Sequence, residues 1–257
     1  MTHGHADVTP VFDPARSVAG MAAPTLLAIS HGTSSPVGAG AVATLVDAVA
    51  ARLADEAPVH AGFVDVQQPD VATCLDGLRQ ESTVIVPLLL SAGFHVHVDL
   101  RHEIDDAVGA GIDVRLAGAL GPDRRLIDLL ERRLTEAGLA AGDVVVLAAA
   151  GSSDARAVTD CERTGELLAD RTGHPVSVGY IANATPRVPD VVASVRAEHP
   201  GARVVTASYL MAPGYFQTLA EKAGGDVTTD PLLPADGEAP EEMVDIVIER
   251  YRATRPA

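Results

Sequence analysis

From Thr25 onward the chain alternates short β-rich apolar runs with longer stretches in which alanine and leucine recur at helical spacing. The runs are Thr25–Ser30, Pro58–Val64, Thr83–Leu90 and Ile112–Ala117, then Asp143–Ala149, Pro175–Ile181, Ala202–Leu210 and Val227–Leu232. Amphipathic segments lie between them, among them Gly40–Glu56, Pro69–Gln80 and Pro122–Ala137, several opened by a proline suited to a first helical turn. Strands that alternate with helices predict βα units and a mainly parallel sheet, hence an α/β fold.

The two halves of the pattern resemble each other. LLAISHGTSS (Leu26 to Ser35) aligns with VVLAAAGSSD (Val145 to Asp154), and IVPLLLSAGFH (Ile85 to His95) with TASYLMAPGYF (Thr206 to Phe216). A duplication of about 115 residues is too long for a solenoid repeat and suits two similar lobes, each a four-stranded sheet flanked by helices. The expected organisation is a tail over residues 1–22, an N-terminal lobe over 23–140 and a C-terminal lobe over 141–257, with the boundary near Gly138–Gly142. The tail is polar, carries Pro10 and Pro14 and shows no periodicity, so disorder is expected there. Its His3-Gly4-His5 pair reads as a weak binder of metal at most.

Composition narrows the function classes. The chain has 257 residues and a net charge of −16, and Lys222 is the single lysine among 19 basic residues, which argues against nucleic-acid or anionic-membrane partners. No run is long and apolar enough for a membrane helix, and the opening residues lack the basic-then-apolar order of a secretory signal, so a cytoplasmic protein is expected. Cys74 and Cys161 have no CxxC or CxxH neighbour and are expected as free thiols.

Three polar residues follow the first three strands of the first lobe: His31, Asp65 and His95. In an open parallel sheet the carboxyl ends of the strands line the ligand crevice. Two imidazoles and a carboxylate converging there suit a divalent transition metal, although any one of them taken alone reads as a hydrogen-bonded structural group. A helix beginning near Val96 turns His97 away from His95, which leaves His97 in a supporting or solvent-facing place, and His60, His102, His174 and His199 read as surface positions. Two other classes compete. His-Gly-Thr after a first strand also occurs in histidine phosphatases, but Ser30 stands where their phosphate-clamping arginine precedes the histidine. Eight βα units could also close into a metal-dependent hydrolase barrel with His95 and His97 as the metal pair, although that pair usually follows the first strand.

Taken together, the HG of LLAISHGTSS, the acid of AGFVDVQQP and the run VPLLLSAGFHVHVDL resemble the sirohydrochlorin chelatases, the class II enzymes that insert a metal ion into a tetrapyrrole. The resemblance covers residues 25 to 255, the second lobe as a degenerate copy with Ala150 opposite His31 and Phe216 opposite His95. It implies one active crevice between the lobes of a chelatase-like fold, with sirohydrochlorin and a divalent ion (Fe2+, Co2+ or Ni2+) as substrates and no permanently bound cofactor. It also implies that a monomer suffices, since the fused lobes supply both walls. His31 and His95 match the family's metal-binding and catalytic histidines, and Asp65 stands where many members carry glutamate. Thr33, Ser34, Ser91, Gly93, Phe94, Arg101 and Phe216 are the substrate-binding candidates, with Arg156 and Arg187 as further partners for the macrocycle's carboxylates and Leu89, Leu90, Ala92, Met211, Pro213 and Tyr215 as parts of its apolar seat. A tetrapyrrole or metal carrier without turnover is the competing function.

Overall fold

A computed structural model of the chain describes residues 23–91 and 94–256, and for 94–99 the backbone only. The expected tail with His3 and His5, together with Gly93 and the side chains of Phe94, His95 and His97, lies outside the described residues.

Among the described residues eight strands and eight helices alternate. The first half holds β1 (Thr25–Ser30), α1 (Pro36–Arg52), β2 (Val59–Phe63), α2 (Val71–Gly77), β3 (Thr83–Pro87), α3 (Phe94–Gly109), β4 (Val114–Leu116) and α4 (Arg124–Glu136). The second holds β5 (Val144–Ala149), α5 (Ala155–Thr172), β6 (Val176–Tyr180), α6 (Val188–Glu198), β7 (Val204–Tyr209), α7 (Tyr215–Glu221), β8 (Val227–Thr228) and α8 (Glu241–Thr254). They form two open, all-parallel sheets of order β2-β1-β3-β4 and β6-β5-β7-β8, which excludes the single closed barrel. Two helix starts differ from the sequence reading. Asp70 and Asp123 cap α2 and α4 by accepting the N–H groups of Thr73 and Arg125, so Pro69 and Pro122 precede the caps. Pro36, in contrast, occupies the first turn of α1 behind the Ser35 cap.

β1 is buried along its whole length because both faces of its sheet are covered, as parallel sheets require. Its even and odd positions enter different cores. Leu27 and Ile29 pack outward against Leu75 of α2 and Ile104 of α3, whereas Leu26 and Ala28 face the middle of the molecule. There they share one continuous core with Leu45 of α1, Leu130 of α4, Leu147 of β5, Leu168 of α5 and Val247 of α8. Each leucine or valine among them contributes about 1.5–3 kcal/mol by leaving water.

The last helix of each half crosses to the other half. α4, which follows β4, packs on α5 and β7, and α8, which ends the second half, packs on α1 and β3. One arginine holds each crossing in place. Arg133 of α4 donates to the carbonyls of Pro231 (3.1 Å) and Leu232 (3.0 Å), and Arg250 of α8 donates to those of Ala119 (3.0 Å) and Leu120 (3.2 Å). Ion pairs from Arg252 and Arg255 to Glu56 extend the second crossing. The packing of the lobes therefore crosses the sequence boundary near residue 140.

Candidate active site

Because β1 lies between β2 and β3, His31 at the end of β1 has the Asp65 loop on one side and the loop into α3 on the other. Backbone bonds tie the first two loops together. Val64 N–H donates to Ser30 O (2.9 Å), Asp65 N–H to His31 O (3.2 Å), and Thr33 N–H to the side-chain carbonyl of Gln67 (2.9 Å). The sequence pattern marks Gln67 by nothing beyond its place two residues after the acid. Gly32 is required here. Its φ is +87°, and a Cβ on it would lie 2.5 Å from the Asp65 carbonyl oxygen.

His31 and Asp65 are both exposed at this edge, and the Asp65 carboxylate accepts the N–H of Val66 at 2.7 Å. Among the described residues no three His, Cys, Asp or Glu side chains gather into a metal-binding group. Within the expected trio the structure therefore unites His31 and Asp65, while the side chain of His95, second residue of α3, lies outside the described residues.

The opposite wall comes from the second lobe. A Cβ on Gly38, in the first turn of α1, would meet the Pro213 carbonyl oxygen at 2.3 Å, and one on Gly214 would meet Thr33 Oγ1 and Ser35 Cβ at 3.8 Å. The loop between β7 and α7 thus sits against the loop after His31. From its end rise Tyr215 and Phe216, 73% and 37% exposed, with ring centroids 6.3 Å apart. The reciprocal contact is closed. Tyr209 donates its hydroxyl to Leu90 O (2.8 Å), and Ser91 hydrogen-bonds Cys161 of α5. Burial pushes the Cys161 thiol up to about 12. Cys74 and Cys161 are both free.

The remaining candidates are placed as follows. Ser34 and Arg101 are exposed, and Thr33 is half-buried. Arg156 pairs with Asp154 at 2.8 Å, and Arg187 donates to the Ile181 carbonyl. Much of the donor capacity at the α1 start is used internally. Ser35 N–H donates to Thr33 Oγ1 (3.1 Å), Gly38 N–H donates to Ser35 Oγ (3.3 Å), and Pro36 has no N–H. His60, His102 and His199 are on the surface, but His174 is half-buried with Nδ1 3.0 Å from the Asp143 carbonyl oxygen.

The loop after β6 repeats the geometry of the Asp65 loop. Val66 and Asn183 share left-handed backbone at φ 60° and 54°, and a Cβ on Gly151 would meet Ala182 O as one on Gly32 meets Asp65 O. Asp65 therefore corresponds to Ala182. The second lobe holds Ala150, Ala182 and Phe216 where the first holds His31, Asp65 and His95.

A family model described as CbiX matches residues 25–137 and 144–223. The chain belongs to the CbiX family. Over 81 residues it is 27% identical to a sirohydrochlorin cobaltochelatase of Sulfurisphaera tokodaii, a match covering 30% of this chain and 66% of that protein, just under two thirds of its length. A Bacillus subtilis structure, SirB with Fe3+, superposes with a TM-score of 0.74 at 18% identity, covering 89% of this chain and 94% of that one. A structure of CbiX, the terminal enzyme for biosynthesis of siroheme in denitrifying bacteria, gives 0.61 at 21% identity over 89% and 98% of the two chains. At these identities the structural matches establish a shared two-lobe α/β fold, and the family match bears out the resemblance to sirohydrochlorin chelatases. Among the described residues of this CbiX chain no helix is long and apolar enough to cross a membrane.

Proposed function

We propose that this CbiX chain is a chelatase that inserts a divalent metal ion, Fe2+ or Co2+, into sirohydrochlorin. The metal is a substrate, and no cofactor is permanently bound. One observation carries the reading beyond family membership. His31 and Asp65 stand at adjacent strand ends, and the equivalent positions of the second lobe are Ala150 and Ala182, so the candidate ligands lie in the first lobe. The catalogued relative described as a sirohydrochlorin cobaltochelatase supports the choice of macrocycle.

Insertion exchanges two pyrrole N–H protons for one M2+, so the chain must hold the ion at one ring face and accept protons there. Imidazole does both, as a borderline ligand and a base. We assign His31 and His95 to present the ion, one of them also accepting a pyrrole proton, and Asp65 to bind the ion or fix an imidazole. Thr33, Ser34, Ser91, Gly93, Phe94, Arg101 and Phe216 are assigned to the macrocycle. With lobes fused and cross-packed, one chain suffices for the crevice.

Mixing the metal-free protein with sirohydrochlorin and Fe2+, Co2+ or Ni2+, and following the absorbance change, tests the proposal. Catalytic turnover is expected with at least one metal, and His31→Ala and His95→Ala each lower it by about 100-fold or more, while His97→Ala leaves it nearly unchanged. No rate above the uncatalysed background with any metal refutes the proposal, and stoichiometric binding without release identifies a carrier instead.

A further inference from the structure

Val66 occupies a conformation to which its side chain is poorly suited. Among the described residues, Val66 and Asn183 are the non-glycine positions with positive φ, and each is the centre of a three-residue turn. Gln67 N–H donates to Asp65 O at 2.6 Å in the first lobe, and Ala184 N–H to Ala182 O at 2.7 Å in the second. Such a γ-turn with positive central φ is strained in any L-residue. The second lobe fills it with asparagine, which tolerates left-handed backbone, whereas the first uses a β-branched residue, the type for which that region is a true outlier.

Packing within the chain does little to offset this strain, because Val66 is 56% exposed. It directly follows Asp65, and a Cβ on Gly32 would lie 3.4 Å from its Cβ, so the valine stands beside the loop that carries His31. The other large exposed apolar side chains include Val37, Tyr215 and Phe216, all on segments that meet at this loop across the lobe junction. Exposed apolar side chains thus stand on the segments that adjoin the loop carrying His31.

We infer that Val66 is a substrate-contacting residue, its isopropyl group packing against the apolar face of the macrocycle held over His31 and Asp65. This rests on the chelatase reading above. The asparagine that serves the second lobe would make the same turn with less strain, and what it lacks is the apolar surface.

Val66→Asn preserves the turn, so folding is not at risk, and Val66→Leu preserves the apolar contact. Three measurements on each full-length variant suffice: titration with metal-free sirohydrochlorin, the KM of each substrate, and the melting temperature. Val66→Asn is expected to raise the sirohydrochlorin Kd and KM about 5–10-fold, equivalent to about 1–1.4 kcal/mol. It leaves the metal KM within about two-fold, while its melting temperature rises by about 2–4 °C as strain is released. Val66→Leu keeps the sirohydrochlorin Kd within about two-fold of the natural protein, since the swap conserves apolar contact. An unchanged sirohydrochlorin Kd in Val66→Asn, with the natural protein binding and turning over, overturns the inference and leaves the chelatase reading intact. Failure of the natural protein to bind sirohydrochlorin removes both.

Discussion

Gly32 separates the structural from the chemical role of the strand-end loops. Replacing it with alanine imposes left-handed backbone on an L-residue, at about 1–2 kcal/mol. It also drives a Cβ to 2.5 Å from the Asp65 carbonyl oxygen, a backbone atom with little freedom to move. Overpacking of that kind adds about 1–3 kcal/mol, so the total is about 2–5 kcal/mol, which lowers the melting temperature by roughly 10 °C in a chain of this size. Two further glycines are the controls. Gly111 has φ +85° and no neighbour within 4 Å of the added Cβ, so Gly111→Ala isolates the backbone term. Gly151 has φ +88° and a still closer carbonyl, that of Ala182, but lies in the lobe without ligands, so Gly151→Ala reproduces the strain away from His31. Thermal unfolding should rank the losses Gly111→Ala smallest and the other two larger. Turnover at a temperature where all three remain folded should fall in Gly32→Ala alone, because displacing Asp65 disturbs the residues around His31. Equal loss of turnover in Gly151→Ala refutes the one-sided site, and equal destabilisation by Gly111→Ala refutes the carbonyl clash.

Arg250, 22% exposed at its side chain, serves two carbonyls and Asp123, and removing it strands polar groups at the helix crossing. Arg250→Met should cost about 1–3 kcal/mol by urea denaturation while unfolding stays a single transition, because α4 and α8 tie both lobes into one shared central core. Two separate transitions would contradict the exchange. The Cys161 thiol, buried and hydrogen-bonded to Ser91, should resist thiol reagents at pH 8 until the protein unfolds, and a fast reaction in the native state would refute the closed contact. Its raised pKa fixes the sign of a pH effect. Its stabilising contribution is complete below the unfolded value of about 8.5, and it is lost as the pH rises through the folded value of about 12. Cys161→Ala should therefore flatten the alkaline fall in urea midpoint.

Local pattern was enough for the parallel strands, since burial on both faces leaves continuous apolar runs such as Thr25–Ser30 whatever the partners are. The end of Val227–Leu232 was overread because apolar residues also line the loop after the two-residue β8: Leu232 and Leu233 are fully buried without being strand. Of the candidate site, His31 and Asp65 were legible as polar residues at strand ends. Gln67, which fixes their loops to each other, was not, because its role is a single long-range hydrogen bond with no periodic trace.

By itself the sequence determined the βα alternation, the duplication and the loss of the first histidine in the second copy, all properties of residue type and spacing. Tertiary structure alone decided that α4 and α8 change places, that Ala182 answers to Asp65, that Pro213 closes on Gly38, and that Val66 sits in a left-handed turn. The reason is physical. Periodicity reports which face of an element is buried, but which partner buries it, and which backbone angle a loop must adopt to reach that partner, are set by contacts distant in the chain, from Gly32 against the Asp65 carbonyl to Arg250 on that of Leu120.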